Sequence, residues 1–538
     1  MTKRGRAGGA AVVTVLCTAA AVAAALVTAG PAGASPGRTA SPGRTAGPGA
    51  LQPGHLLVSE SVYSKDAAIV AGRTQLPPGC TTGCVTAIAN GSYPQVFNND
   101  LVDGSFGVTS RIFLAEMTPS GLPLGTITVP PGRLVTSFSS KSELALNLSP
   151  DGRTVSFMGY AAKPGDVDVS NSNTPGVIDP TNPVPGAYYR AVAQFSGRGP
   201  LRITETNAYS GNNGRAAITA EAGGKQLIYT VGNAGNGSSP QPDGVILGAG
   251  AQLITPGAAP GTPTPVGSFN ITQLGHPADK IGKDDNFRGL TIFNNVLYYT
   301  KGSGGNGVNT VYFLDTTGKA CPDGVGLPAA GAPLPASPLS YDPATLQTTG
   351  LPSNMCILKG FNTTLAKTTT NVFPFGLWFA NADTLYVADE GSGTNTFSGG
   401  QYTAAAAQTK AGLQKWVFDG TEWKLAYTLR AGLDLGQPYT VGGYPTGINA
   451  ATGLPWSPAT DGLRNITGRV NRDGTVAIWA ITSTVSGGGD QGADPNKLVE
   501  ITDPLNAASP AAGETFNTLR TAGFAEVLRG VSFTPGSR

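Results

Sequence analysis

Histidine is nearly absent. Only His55 and His276 occur in 538 residues, which argues against a hydrolase built on a serine–histidine pair and against histidine-rich zinc sites. Charge is also scarce, at 13%. Lys3, Arg4 and Arg6 belong to an N-terminal leader. Without them, 32 basic residues (35 minus 3) face 33 acidic ones, a net charge of −1. No basic patch is left to hold nucleic acid. Patterns of the H-E-x-x-H, P-loop and EF-hand types are missing. Two short matches carry no chemistry. Gly302-Ser-Gly-Gly-Asn-Gly fits G-x-G-x-x-G but lies between two strands, where no helix N-terminus follows to hold a dinucleotide. Gly33-Ala-Ser-Pro-Gly fits G-x-S-x-G but straddles a cleavage site.

Residues 1–34 read as a secretory signal, with a basic start, an apolar run over 10–27 and the small-residue site Ala32-Gly33-Ala34. An uncleaved membrane anchor is the alternative, because the apolar run is long. Cys17 lies in this leader, and the residues before it lack the small residue of a lipoprotein signal. Residues 35–53 form a Pro/Gly-rich linker with no large apolar residue over 35–50. The four remaining cysteines, Cys80, Cys84, Cys321 and Cys356, suit disulfides in an exported chain. The favoured pairing is Cys80–Cys84 and Cys321–Cys356, each within one repeat; free buried thiols are the alternative. The expected location is extracellular.

Gly plus Pro reaches 118 of 538 residues (76 plus 42), yet 40% of residues are apolar and fall in strand-like runs. Residues 287–314 read as three antiparallel strands, 287–293, 296–300 and 310–314, joined by an Asn-Asn turn and a glycine loop. The unit recurs. First strands align as Glu143-Leu-Ala-Leu, Gly214-Arg-Ala-Ala, Phe287-Arg-Gly-Leu, Pro374-Phe-Gly-Leu, Ile466-Thr-Gly-Arg and Leu528-Arg-Gly-Val. The third position is always small: Ala145, Ala216, Gly289, Gly376, Gly468 or Gly530. Innermost propeller strands crowd around a narrow axis, where a side chain has little room. Third strands are expected at 111–117, 191–195, 245–255, 310–315, 413–419 and 497–502, and fourth strands at 124–129, 201–204, 269–273, 355–361, 423–429 and 516–521.

These repeats predict an all-β fold over residues 54–538, a single β-propeller of six blades. A seventh blade has room in 63–107, and a pair of stacked sheets is the rival architecture. The first copy lacks an innermost strand, and the last copy is only an innermost strand, 527–534. Pairing them closes the ring and removes an open sheet edge.

Ser149-Pro-Asp-Gly-Arg-Thr-Val-Ser-Phe resembles the strand–turn–strand signature of TolB-type propellers. Gly376-Leu-Trp-Phe-Ala-Asn-Ala-Asp-Thr-Leu-Tyr-Val-Ala-Asp-Glu resembles blades of NHL-type and SMP-30/gluconolactonase-like propellers. The last resemblance implies a divalent cation held by carboxylates and Asn in the channel, although Phe375 stands where a polar ligand is expected.

Candidate residues gather at the rim that carries the second-to-third-strand loops and the blade connections. Arg215, Arg288 and Arg529 share one position, filled elsewhere by Leu144, Phe375 and Thr467. Three guanidiniums near one axis would clamp a carboxylate or phosphate; pairing with a neighbouring carboxylate or carbonyl is the alternative. Asp284, Asp285, Asp389 and Glu390 offer oxygen ligands to Ca2+, with Asn286 beside them; solvated turns are the alternative. His276 is the candidate general acid or base, or an incidental loop residue. The connection 430–465 carries Tyr444 and Trp456, which would stack on sugar rings if exposed, or cover blade edges. The sequence therefore points first to an extracellular module that binds a small-molecule, glycan or protein ligand. A cation-assisted hydrolase or lyase acting on a small anionic or sugar-derived substrate is the alternative, and a scaffold in a surface assembly is third.

Overall fold

The computed structural model describes residues 51–63, 73, 75–76, 80–87, 107–138, 144–235, 240–257, 260–368, 372–450, 452–488 and 491–537. The leader and most of the linker lie outside the described residues, and so does most of the span 63–107. Six antiparallel sheets follow the repeats and form a six-bladed β-propeller.

Each sheet runs outward from an inner strand. Blade 1 takes its inner strand from the end of the chain: Glu526–Phe533 pairs with Leu56–Val62, followed by Thr109–Met117 and Pro123–Thr128. The register runs from Leu56 opposite Phe533 to Val62 opposite Glu526, so the expected closure of the ring is present. Blade 2 is Asn147–Leu148, Val155–Tyr160, Arg190–Phe195 and Arg202–Thr206. Blade 3 is Gly214–Ala222, Lys225–Gly232, Gly250–Ile254 and Pro265–Gly267. Blade 4 is Leu290–Phe293, Val296–Lys301, Thr310–Leu314 and Met355–Leu358, with Val325–Gly326 added in parallel outside. Blade 5 is Pro374–Asn381, Thr384–Asp389, Gly412–Phe418 and Trp423–Leu429. Blade 6 is Ala459–Val470, Thr475–Val485, Lys497–Pro504 and Asn517–Thr521.

Second strands are buried on both faces, as Val296–Lys301 and Thr384–Asp389 illustrate. Their β-branched and aromatic residues fill the space between neighbouring sheets. The Asn-Asn turn works as expected: Asn294 and Asn295 have φ of 48° and 61°, the pair of left-handed residues that a tight hairpin turn requires. Both expected disulfides form, Cys80–Cys84 with Cα atoms 5.6 Å apart and Cys321–Cys356 with 5.9 Å. The first staples a small hairpin of Gln75–Leu76 and Val85–Thr86. The second ties a loop of blade 4 to its fourth strand.

Two expected strands of blade 3 are corrected. The segment 269–273 is not a strand: Ile271–Leu274 is a 3-10 helix, started by a capping box between Asn270 and Gln273. The third strand begins at Gly250 rather than 245, because Asp243–Leu247 forms a short helix.

The small third residue has a concrete cause. A Cβ on Gly289 would sit 1.8 Å from the Phe375 carbonyl oxygen, one on Gly376 would sit 2.4 Å from that of Arg464, and one on Gly530 would sit 2.4 Å from that of Leu144. The inner strands of blades 1, 4 and 5 thus each lie against the backbone of the next. This series also corrects blade 6, where the equivalent stretch is Leu463-Arg464-Asn465-Ile466, three residues earlier than expected. Gly468 has another role: a Cβ there would meet the Trp378 indole at 2.6 Å.

Candidate functional site at the arginine rim

The corrected register puts four arginines, not three, at one position of the inner strands: Arg215, Arg288, Arg464 and Arg529. In three blades the ladder skips beside them. Blade 1 passes from Gly530 opposite Ser59 to Leu528 opposite Glu60, blade 3 from Ala216 opposite Val231 to Gly214 opposite Gly232, and blade 6 from Leu463 opposite Thr482 to Ile466 opposite Ala480. A bulge of this kind re-aims a side chain. Asn465, in the small position of blade 6, uses its Oδ1 to accept from Val531 N at 2.7 Å and Leu146 N at 3.4 Å. It thereby links the inner strands of three blades.

Arg288 and Arg464 converge on one carboxylate. Arg288 Nη1 lies 3.1 Å from Glu390 Oε1, and Arg464 Nε lies 3.1 Å from Glu390 Oε2. The ring of Phe375 sits near both guanidiniums, 5.9 Å and 6.0 Å from centroid to Cζ. An aromatic face there attracts the cations and holds them in place. Arg288 also donates to Ser303 Oγ. This trio borders a cavity of about 350 Å3 lined by glycine-rich turns 302–305 and 391–393, with Asn309, Phe373, Asp461, Ser483, Thr484 and Gln491.

Acids stand behind these turns. Asp461 Oδ2 accepts from Gly393 N at 2.7 Å and Oδ1 from Gln408 Nε2 at 2.6 Å. Asp389 accepts from Phe373 N at 2.8 Å, Gly391 N at 3.0 Å and Gln414 Nε2 at 3.2 Å. Burial pushes both carboxyls up to about 7, and the negative charge of Glu390 adds to it. The glycines of the turns are needed, since a Cβ on Gly391 would meet Asp461 Oδ2 at 2.4 Å.

The other candidates lie elsewhere. Arg529 donates to the carbonyls of Phe138 and Ser137. Arg215 is buried in blade 3 and does not border this cavity. Asp285 accepts from Phe269 N at 2.7 Å and Asp284 from Ile271 N at 3.3 Å, in the connection between blades 3 and 4. Burial pushes Asp285 up to about 8 and Asp284 up to about 6. His276 is exposed after the 3-10 helix. Tyr444 and Trp456 are 5% and 6% exposed, so they present no open ring to a sugar. The Tyr444 hydroxyl donates to Asp494 at 2.8 Å. Of the two readings of this long connection, rings open to a sugar or rings packed on the protein, the structure has the second.

The donor set does not fit a single divalent cation. Among the described residues, Asp284, Asp285, Asp389 and Glu390 do not converge on one point. The one converging group there is Asp315, Cys321 and Cys356, and its cysteines are already joined. A cation at Glu390 would also face two guanidiniums. Sequence reasoning missed Arg464 and Asp461. Leu463-Arg-Asn-Ile parallels Leu528-Arg-Gly-Val closely enough to have found the first, had Asn been admitted at the small position.

The opposite end of the axis differs. There a funnel of about 800 Å3 is lined by all six blades, with Leu148, Ile292, Phe293, Leu377, Trp378, Phe379, Val470 and Phe533 among its walls.

No family model matches the chain, and no curated protein matches it. Among solved structures, it is similar to an ulvan lyase, a polysaccharide lyase bound to -[GlcA(1-4)Rha3S]-, at 10% identity and a TM-score of 0.26, over 89% of this chain and 96% of that one. It is similar to the hemagglutinin-neuraminidase ectodomain of parainfluenza virus 5 at 11% identity and 0.27, over 80% and 77%. Likenesses this distant say nothing of activity or ligand. No helix among the described residues is long and apolar enough to cross a membrane.

Proposed function

We propose that this chain is an exported β-propeller that binds a small anionic ligand, of the carboxylate or uronate class, in the cavity between blades 4, 5 and 6. One observation carries the reading: Arg288 and Arg464 share a single carboxylate, Glu390, at the border of an open cavity. Two guanidiniums at the border of a largely desolvated place offer an anion charge-assisted hydrogen bonds, which are strong there. The glycine-rich turns add backbone to the wall at close range. The cavity lies within the size range of small-molecule sites.

Titration calorimetry with glucuronate, acetate and inorganic phosphate tests this. The reading expects saturable binding of at least one anion, weakened in Arg464→Ala. No heat with any anion, for a protein that melts cooperatively, overturns it.

A second reading, turnover of the same anion, has Asp461 behind it. Its carboxyl borders the cavity and is pushed up to about 7, which suits a general acid near neutral pH. Asp461→Asn would then abolish turnover while leaving binding in place.

A further inference from the structure

Between blades 5 and 6 lies a second set of charged groups that the anion site does not use. Lys415 is in the third strand of blade 5, Gly412–Phe418, and Asp503 in the third strand of blade 6, Lys497–Pro504. Both side chains are 0% exposed, and Lys415 Nζ lies 2.8 Å from Asp503 Oδ2. Nζ also donates to Tyr427 Oη at 2.9 Å and to the Pro504 carbonyl at 2.7 Å. Two phenols address the carboxyl: Tyr427 donates to Oδ1 at 2.5 Å, and Tyr386 donates to Oδ2. The rings of both tyrosines flank the ammonium, at 5.1 Å and 5.9 Å.

A third group completes the set. Glu514 stands near this pair, and the charges of Asp503 and Lys415 both act on its carboxyl. Its Oε1 is buried and receives no donor, while Oε2 accepts from Ala511 N at 2.9 Å. Burial, with the neighbouring Asp503, pushes Glu514 up to about 7, so it can carry a proton near neutral pH. An amine, a carboxyl and a proton carrier thus meet in a dry, aromatic-walled site. Such fixed proximity replaces an encounter in solution by a reaction of high effective concentration.

We infer that Lys415 and Asp503 become joined by an amide bond that the fold itself forms, with Glu514 carrying the proton. The ammonium first passes a proton to Oδ2, which converts a buried ion pair into a neutral amine and acid and removes the cost of holding two charges out of water. The Nζ lone pair then attacks Cγ, and the Nζ–Cγ bond forms. Tyr427 donates to Oδ1, where negative charge gathers. Glu514 gives its proton to the Oδ2 hydroxyl and takes one from Nζ. The Cγ–Oδ2 bond breaks, and one water leaves. Glu514 ends as it began, and no oxidant, metal or nucleotide is consumed. The product ties two neighbouring blades covalently.

Peptide mass mapping decides the matter on the full chain. After reduction, denaturation and trypsin, a free Lys415 is cut, and residues 411–415, 416–424 and 498–520 appear separately. A joined Lys415 is not cut, and the expected species is a branched peptide of residues 411–424 and 498–520, lighter than the two by one water. Glu514→Gln is expected to restore the separate peptides in a protein that still melts cooperatively, because Glu514 is partly exposed and not in the core. Separate peptides from the parent protein overturn the inference without recourse to any variant. A branched peptide that persists in E514Q overturns the role given to Glu514.

Discussion

The two ends of the propeller axis are built from the same six inner strands and have opposite chemistry. At one end, Arg288, Arg464 and Glu390 border a polar cavity of about 350 Å3 with glycine-rich walls. At the other, Trp378, Phe293 and Phe379 line a wider funnel of about 800 Å3. The stacked rings of Phe293 and Phe379, 4.5 Å apart, bridge blades 4 and 5 there. Between the ends the strands touch backbone to backbone at Gly289, Gly376 and Gly530. The waist holds both ends in register, while the residues above and below it are free to differ. Position along a strand, more than the choice of blade, sets whether a residue meets an anion or an apolar group.

The strongest way to break the contrast is to remove a strand that serves both ends. Truncation after Phe524 deletes Arg529 from one end and Phe533 from the other, and strips Leu56–Val62 of its inner partner. The expected outcome is loss of the cooperative melting transition. A truncated protein that melts like the parent would refute the closure of the ring.

A narrower break acts on the waist. Gly289→Ala puts a Cβ 1.8 Å from the Phe375 carbonyl, and overpacking of this kind costs about 1–3 kcal/mol. Chemical denaturation should move to lower denaturant, with both ends affected. Arg288→Ala then acts on one end alone. Anion affinity should fall about tenfold or more, roughly 1.4 kcal/mol, by calorimetry.

Acid sharpens the same end. Asp389 and Asp461 are raised from 3.8 to about 7 in the fold. Between those values the folded chain holds protons that the unfolded chain has released, so stability rises as pH falls through that window and drops as pH rises. Lys301, lowered from 10.5 to about 7, acts above the window and in the opposite sense. Protonating the two acids also removes negative charge around the cavity, so anion affinity should increase from pH 8 to pH 6. Melting and binding measured across that range check both signs. The smallest effect belongs to the far end. Trp378→Ala should weaken binding of an apolar fluorescent dye in the funnel and leave anion affinity unchanged.

Much of this was legible in the chain, for physical reasons. The axial glycines, the Asn-Asn turn and the orphan strand at the end report steric and pairing demands that act locally. Blade 6 misled because two irregularities interrupt its inner strand, near Gly462 and between Leu463 and Ile466. A bulge breaks the alternation on which register is read. Asn465 hides the small position by sending its side chain across to neighbouring strands. The buried state of Tyr444 and Trp456, and the meeting of Lys415 with Asp503 and Glu514, depend on contacts between distant segments that no local pattern encodes.

The pair of guanidiniums at Glu390 is the centre of the proposed site. The most direct measurement is a calorimetric titration of glucuronate into the parent protein and into Arg464→Ala at pH 6. Saturable one-to-one binding in the parent, about tenfold weaker in the variant, is the predicted result. Equal affinity in the two proteins, or no binding of any small anion to the well-folded parent, would contradict it.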